Sequence, residues 1–191
     1  MKQITFIITI VMCLFFSKDV VAQRMLPGMR GLQIIGGLTN PYQSDSKWGG
    51  YCGLGISTYT KAGNKWLFGG EFLQKSYPYK TEQIPLSQFT VEGGYYRRIL
   101  SDPTKTVHCS FGTSILTGYE TVNWGEKTLF DGSTLQNKDR FLYGGAFTLE
   151  MENYLSDRII LLLSIRERIL WGSSTGHFHT QFGIGLKYII N

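Results

Sequence analysis

Apolar and polar residues alternate with a period of two over eight segments of the chain after residue 30. Successive side chains of an extended strand point to opposite faces, so this alternation predicts strands with one apolar and one polar face. The predicted strands are 31–39, 49–60, 65–76, 88–99, 106–121, 140–154, 158–172 and 178–190. Helix signals are scarce, and we therefore expect an all-β fold.

The connections between the predicted strands alternate in length. Three are tight turns rich in Gly, Pro, Asn and Asp, namely 61–64, 101–104 and 155–158. The others are 40–48, 77–87, 122–139 and 173–177, of which the last is the shortest. An even number of antiparallel strands, with short turns at one end and longer loops at the other, is typical of outer-membrane barrels.

The segment ENYLSDRIILLLSIRERILWG (152–172) tests whether the apolar run is a strand or a helix. In a helix, Arg166 and Arg168 would point about 200° apart, whereas in a strand both share a face with Ser164. The opposite face of the strand then holds Leu161, Leu163, Ile165, Ile169 and Trp171, interrupted by Glu167. The run is too short and too charged for a transmembrane helix. We therefore predict a strand.

The other strands divide in the same way, with large apolar side chains on one face and small or charged ones on the other. Eight strands enclose an interior that side chains just fill, and Phe, Trp and Tyr from every strand would overfill it. We expect the apolar faces to contact lipid, where barrel closure also removes unpaired sheet edges. The prediction is an eight-stranded antiparallel up-and-down outer-membrane β-barrel, OmpX-like. A soluble lipocalin-like barrel is the alternative.

Aromatic residues near the strand ends fit this orientation. Trp66, Tyr95, Tyr143 and Trp171 fall on the apolar faces, where aromatic girdles mark the two membrane interfaces.

The polar faces carry charges of both signs, which we expect to form a charge network inside the barrel. Its predicted members are Glu71, Glu92, Arg98, Glu150, Glu152, Arg166, Arg168 and Lys187. Such a network could be an ion path or a structural plug. Because an eight-stranded barrel leaves little room once these side chains meet, we expect a plug.

The first 22 residues have a different pattern. Lys2 precedes an apolar core over residues 4–16, and Val20 and Ala22 occupy the −3 and −1 positions of a cleavage site. This predicts a secretory signal peptide, 1–22, cleaved before Gln23. A single membrane anchor is the alternative, but the core is shorter than the about 20 residues of a span. The mature chain, 23–191, is expected to form one barrel domain.

Charge and cysteine content narrow the function classes. The whole chain has a net charge of +5, which falls to +4 without the signal peptide, and its basic residues are scattered. We therefore expect no direct nucleic-acid binding. Cys52 and Cys109 fall on the lipid face of strands that are not neighbours, so we expect no disulfide between them.

Two groups of residues could carry chemistry. His108 and Ser110 share the inner face of one strand with Glu120, which could provide a nucleophile, a base and an orienting group. His177 and His179 could bind a metal ion with Glu120 or Glu126. Interior and loop polarity explain both groups equally simply, and we expect no catalytic site, cofactor or metal.

Four stretches of the chain are distinctive: RMLPGMRGLQIIGG, VEGGYYRRIL, GYETVNWGEKTLFDGS and ENYLSDRIILLLSIRERILWG. They resemble the TraO family of conjugative-transposon transfer proteins from Bacteroides and relatives. The resemblance covers nearly the whole mature chain and implies a place beside the envelope-spanning mating apparatus. It supplies no catalytic motif.

These observations predict an outer-membrane barrel with a structural or interaction role in conjugative DNA transfer. The loops, above all 122–139 with Trp124, Phe130, Asp131 and Gly132, are expected to face the cell exterior. The short turns and the segment 24–30 would face the periplasm, where other transfer proteins could dock. A lipid-modifying barrel enzyme and a small OmpX-like adhesin barrel are the alternatives.

Overall fold

The computed structural model describes residues 25–39, 49–80, 82–126, 128–129, 132–135, 139–174 and 176–190. The predicted signal peptide, Arg24, Phe130 and Asp131 lie outside these residues. Eight strands form the fold: β1 (Arg30–Thr39), β2 (Gly49–Tyr59), β3 (Lys65–Tyr79), β4 (Glu82–Ser101), β5 (Val107–Val122), β6 (Arg140–Tyr154), β7 (Ile159–Trp171) and β8 (Phe178–Ile189).

Each strand pairs antiparallel with its neighbour in the chain, and β1 pairs with β8 to close the barrel. The prediction of an eight-stranded antiparallel up-and-down barrel is confirmed. We call the end that carries 25–30, 60–64, 102–106 and 155–158 the turn end. The opposite end, at which β1, β3, β5 and β7 end, is the loop end, and its described connecting residues are 80, 123–126, 128–129, 132–135, 139, 172–174 and 176–177.

No helix among the described residues is long and apolar enough to cross a membrane.

The predicted loop 77–87 is wrong. β3 and β4 remain paired from Lys65 and Tyr96 to Tyr79 and Glu82, so only residues 80–81 connect them. β2 follows β3 only as far as Gln74, and β5 follows β4 only as far as Leu86. Residues 75–79 and 82–85 therefore form a two-stranded ribbon beyond the barrel wall. Pro78 and Pro85 are tolerated because each strand of the ribbon is an edge strand.

The apolar faces of the strands point outward. The side chain of Ile115 is 77% exposed, whereas that of its neighbour Ser114 is only 7% exposed. Trp66 packs on Tyr95 with ring centroids 4.9 Å apart, and Tyr143 stacks on Trp171 at 6.1 Å. The first pair lies towards the turn end and the second towards the loop end, as two aromatic girdles require.

Candidate functional site in the barrel lumen

A central charge network spans the lumen from β3 and β4 to β7. Arg166 donates to Glu71, with Nη1 3.2 Å from Oε2, and to Glu92, with Nη2 2.9 Å from Oε1. Glu71 also accepts from Arg168 Nη1 at 2.7 Å and from Gln181 Nε2 at 2.7 Å. The Arg166 guanidinium further contacts the Tyr96 hydroxyl at 3.2 Å. The two arginines neutralise the two carboxylates where little bulk water can reach them.

A second network, the turn-side network, fills the lumen nearer the turn end. Lys65 donates to Glu152, with Nζ 2.6 Å from Oε1, and forms a further ion pair with Glu150. Lys187 pairs with the same Glu152, which also accepts from the Tyr59 hydroxyl at 3.0 Å. All four charged side chains are at least 98% buried. This network is also neutral.

The two networks contain seven of the eight predicted residues, and they differ from the prediction at two positions. Lys65 was missed because it directly follows a turn, where a lysine ordinarily faces solvent. Arg98 lies at the turn end instead: a Cβ built on Gly63 would be 2.9 Å from its Nη1 and 3.0 Å from the Met25 sulfur. Its backbone N–H donates to the Asn64 side chain at 3.0 Å, next to a register shift in the β4–β5 pairing.

Apolar side chains seal the lumen on both sides of the networks. Near the turn end the buried cluster contains Met25, Tyr59, Tyr154, Ile160, Leu162 and Ile189. Towards the loop end a second cluster contains Leu116, Leu142, Ala146 and Leu170. Met25 reaches the first cluster because the segment before β1 pairs with β2, through Gly28 N–H to Tyr59 C=O at 2.8 Å. The interior is therefore layered and packed.

Two further charges are buried at the loop end. Glu120 accepts from Gln88 Nε2 at 2.8 Å, from Ser173 Oγ at 3.0 Å and from Ser174 Oγ at 2.6 Å. Lys75 Nζ is buried, has no hydrogen-bond partner among the residues that the structure describes, and lies 5.5 Å from the centre of the Tyr77 ring. These two residues give the loop end one carboxylate and one ammonium group that do not pair.

The possible Ser–His–Glu arrangement is not assembled. His108 Nδ1 lies 3.0 Å from Ser101 Oγ, and its Nε2–H donates to the Lys105 carbonyl at 3.0 Å. Glu120 lies at the other end of β5, twelve residues away, where it accepts hydrogen bonds from Ser173 and Ser174. An extended strand of that length spans about 40 Å, so Glu120 does not orient His108.

The two loop-end histidines are held by the backbone. His177 Nδ1–H donates to the Leu170 carbonyl at 3.0 Å, and His179 Nε2–H donates to the Gly176 carbonyl at 3.1 Å. His179 is buried, whereas His177 is exposed. In the part of the chain that the structure describes, no three His, Cys, Asp or Glu side chains converge as metal ligands would.

The outer surface carries both cysteines and one carboxylate. Cys52 is exposed on β2, Cys109 is half-buried on β5, and both are free thiols. Glu167 interrupts the apolar face of β7, as expected, and accepts from the Thr180 hydroxyl of β8 at 2.6 Å. This hydroxyl is a partner that reduces the cost of placing a carboxylate in the lipid-facing wall.

Solved structures of outer-membrane barrels share this fold. The chain is similar to Neisserial surface protein A, with 12% identity, 83% of this chain and 96% of that chain covered, and a TM-score of 0.57. It is also similar to Ail, the attachment invasion locus protein of Yersinia pestis, solved with the heparin analogue sucrose octasulfate. That match has 13% identity, covers 86% of this chain and 100% of that chain, and has a TM-score of 0.56. At these identities the likeness concerns the fold.

The sequence itself matches a family model. No curated protein sequence matches this chain. The model described as conjugative transposon protein TraO, however, matches residues 26–190, which is nearly the whole barrel. The resemblance read from the four distinctive stretches is thus confirmed, and the chain belongs to the TraO family of conjugative transposon proteins.

Proposed function

We propose that this protein is an outer-membrane component of the conjugative DNA-transfer apparatus and that its role is to anchor the apparatus in the membrane. Family membership supports the process, and the barrel fold supports the location. Short turns of outer-membrane barrels face the periplasm, so the turn end faces the periplasm and the loop end the exterior. Export by the signal peptide 1–22 would deliver a mature chain that begins at Gln23.

The packed lumen carries this proposal. Two neutral ion-pair networks and two apolar clusters occupy the interior, and Met25 fills the turn end. A DNA strand or a folded substrate has no path through such an interior. The function therefore resides in the outer surfaces and the two ends, as in an anchor or a contact protein.

Contact with the recipient cell is the second candidate role. The ribbon of residues 75–79 and 82–85 extends beyond the wall at the loop end, and the Tyr79 hydroxyl lies 3.1 Å from Ser133 Oγ of the long loop. Ribbon and loop together form an exterior surface that a recipient could touch.

Complementation of a donor that lacks the gene tests these roles. We expect the deletion to abolish transfer and the wild-type gene to restore it, while surface adhesion of the donor stays unchanged. A variant in which a two-residue turn replaces residues 77–84 removes most of the ribbon: full transfer supports anchoring, and loss of transfer supports recipient contact. Normal transfer after deletion would contradict both roles, and loss of adhesion alone would favour the adhesin alternative.

A separate variant tests the alternative that the protein is a lipid-modifying enzyme. Ser110→Ala removes the hydroxyl that the Ser–His–Glu arrangement would use as its nucleophile and leaves a small side chain in a buried position. We expect this variant to restore transfer as well as the wild type does. Labelling of Ser110 by a serine-reactive probe, together with failure of the variant, would support a hydrolase instead.

A further inference from the structure

The charges of the described residues are balanced inside the barrel. The lumen holds five cationic side chains, Lys65, Lys75, Arg166, Arg168 and Lys187, and five carboxylates, Glu71, Glu92, Glu120, Glu150 and Glu152. The interior therefore contributes nothing to the net charge of the protein.

The loop end is balanced too. Apart from the buried Lys75 and Glu120, which are counted with the interior, its described exposed charges are Lys80 and Arg140 against Glu126 and Asp139. In the sequence, the connecting segments 40–48, 80–82 and 123–140 contain five basic and five acidic residues, and 172–177 contains none. Neither the interior nor the loop end explains why the barrel is basic.

The excess positive charge lies at the turn end. Its described cationic residues are Arg30, Lys61, Arg97, Arg98, Lys105 and Arg158, and its acidic residues are Asp102 and Asp157. All of the cationic side chains except Arg98 are exposed. One end of the barrel thus carries a net charge of +4, whereas the other end is neutral in the residues described.

The same end exposes apolar side chains. Leu26 is 43% exposed beside Met25, which seals the lumen, and Leu155 is 48% exposed at the tip of the β6–β7 turn. The turn end therefore combines two exposed leucines with exposed cationic side chains. Apolar residues enclosed by a polar rim are the arrangement of protein interfaces.

We infer that the turn end is a docking surface for a periplasmic protein whose contacting face carries carboxylates around apolar side chains. The inference deepens the proposed function and rests on it in one respect, since it takes the partner to be a component of the apparatus that the barrel anchors. Opposite potentials on the two faces raise the association rate and fix the orientation of the complex.

Two other anionic partners fit less well. Single-stranded nucleic acid is bound by basic grooves in which aromatic side chains stack on the bases. Residues 25–30, 60–64, 102–106 and 155–158 contain no aromatic residue. Lipid phosphates would suit Arg97, which lies two residues beyond the girdle residue Tyr95, but they give no role to Leu26 at the mouth of the lumen.

Photocrosslinking in donor cells tests the inference on the whole protein. A photoreactive residue at Ala62 or Pro103, both exposed at the turn end, should yield an adduct with a periplasmic transfer protein. Mass spectrometry should place the crosslink in a segment with net negative charge. The same photoreactive residue at Glu126 of the loop end should not yield this adduct.

Charge reversal supplies the decisive comparison. K61E/K105E should lower the adduct yield by about tenfold or more, because like charges then face each other. The matched loop-end variant K80E/R140E should leave the yield unchanged, and reversal of the crosslinked carboxylates on the partner should restore the yield with K61E/K105E. Heat-modified mobility on gels checks that both variants fold.

The inference is overturned if the adduct forms with a neutral or basic segment, with lipid alone or with DNA, or if K61E/K105E leaves its yield unchanged. These outcomes differ from failure of the proposed function. Normal transfer after deletion of the gene would refute the role in transfer, whatever the crosslinks show. Loss of transfer on deletion, with adducts that do not respond to charge, would refute only the docking surface.

Discussion

Arg168 and Glu71 meet across the full width of the barrel. Their strands, β7 and β3, are four positions apart in a closed sheet of eight, yet Arg168 Nη1 lies 2.7 Å from Glu71 Oε1. Opposite walls of the barrel are thus joined by a charge-assisted hydrogen bond between side chains. Because this pair links opposite walls of the barrel, we expect the charges of the lumen to contribute to the stability of the fold.

Removal of Glu71 should destabilise the barrel strongly. Glu71→Ala leaves Arg168, which is fully buried, without its carboxylate. A buried charge that loses its partner costs about 3–5 kcal/mol. Unfolding in urea from lipid vesicles, followed by tryptophan fluorescence, measures the loss, and Glu126→Ala at the exposed loop end is the matched control. Equal stability of the two variants would refute the structural role of the network.

We expect Lys65 to contribute as much to the stability of the barrel as the charged residues that were predicted from the sequence. Lys65→Met leaves Glu150 and Glu152 with one cation, Lys187, between them. Because the partners are coupled, the double variant Lys65→Met with Glu150→Gln should lose less stability than the two single variants together. Additive losses in this double-mutant cycle would show that the turn-side pair does not interact.

The close approach of Tyr96 to β5 explains one interior glycine. A Cβ on Gly112 would lie 2.4 Å from the Tyr96 ring, whose hydroxyl contacts Arg166. Gly112→Ala should therefore cost about 1–3 kcal/mol through overpacking. Gly50→Ala is the control, since its nearest neighbour would be 4.0 Å away. A Gly112→Ala variant as stable as Gly50→Ala would contradict this packing.

Removal of the Lys75 charge should stabilise the barrel, unlike removal of the charges in the two networks. Among the described residues its ammonium group has no hydrogen-bond partner and lies near the Tyr77 ring, so its desolvation cost in the folded state is only partly compensated. Lys75→Met keeps the length of the side chain and removes the charge, and should raise the free energy of unfolding by about 1–3 kcal/mol. A loss of stability in the same urea titration would indicate a partner for Lys75 and refute this account.

Much of the barrel could be predicted from the alternation of side chains. The strand count and the outward rows followed from it, because charges such as Arg166 and Arg168 mark the inner face of a strand. The ribbon could not, since Pro78 and Pro85 are ordinary loop residues unless neighbouring strands end before them. In β7 the alternation puts Ile160 and Leu162 on the inner face with Ser164, but because the opposite face is apolar too, it gave no sign that these two residues form an apolar cluster in the lumen.

The members of the charge network could be predicted only in part from the sequence, for a related reason. Alternation shows which face a residue is on but not how far its side chain reaches along the barrel axis. Lys65 and Arg98 both lie near turns on inner faces, yet Lys65 reaches Glu152 and Arg98 stays beside Gly63. Only the register of β3, β4 and β6 in the folded barrel shows that Lys65 belongs to the network and Arg98 does not.

Spin labels on β5 test the orientation of the wall most directly. In a background without cysteines, single labels at Thr113, Ser114, Ile115 and Leu116 report accessibility to oxygen, which dissolves in lipid, and to a water-soluble nickel chelate. We predict high oxygen accessibility at Thr113 and Ile115 and low accessibility to both reagents at Ser114 and Leu116, because the former face outward and the latter are buried. Strong oxygen accessibility at Ser114 with protection of Ile115 would show that the charged face, not the apolar one, meets the membrane.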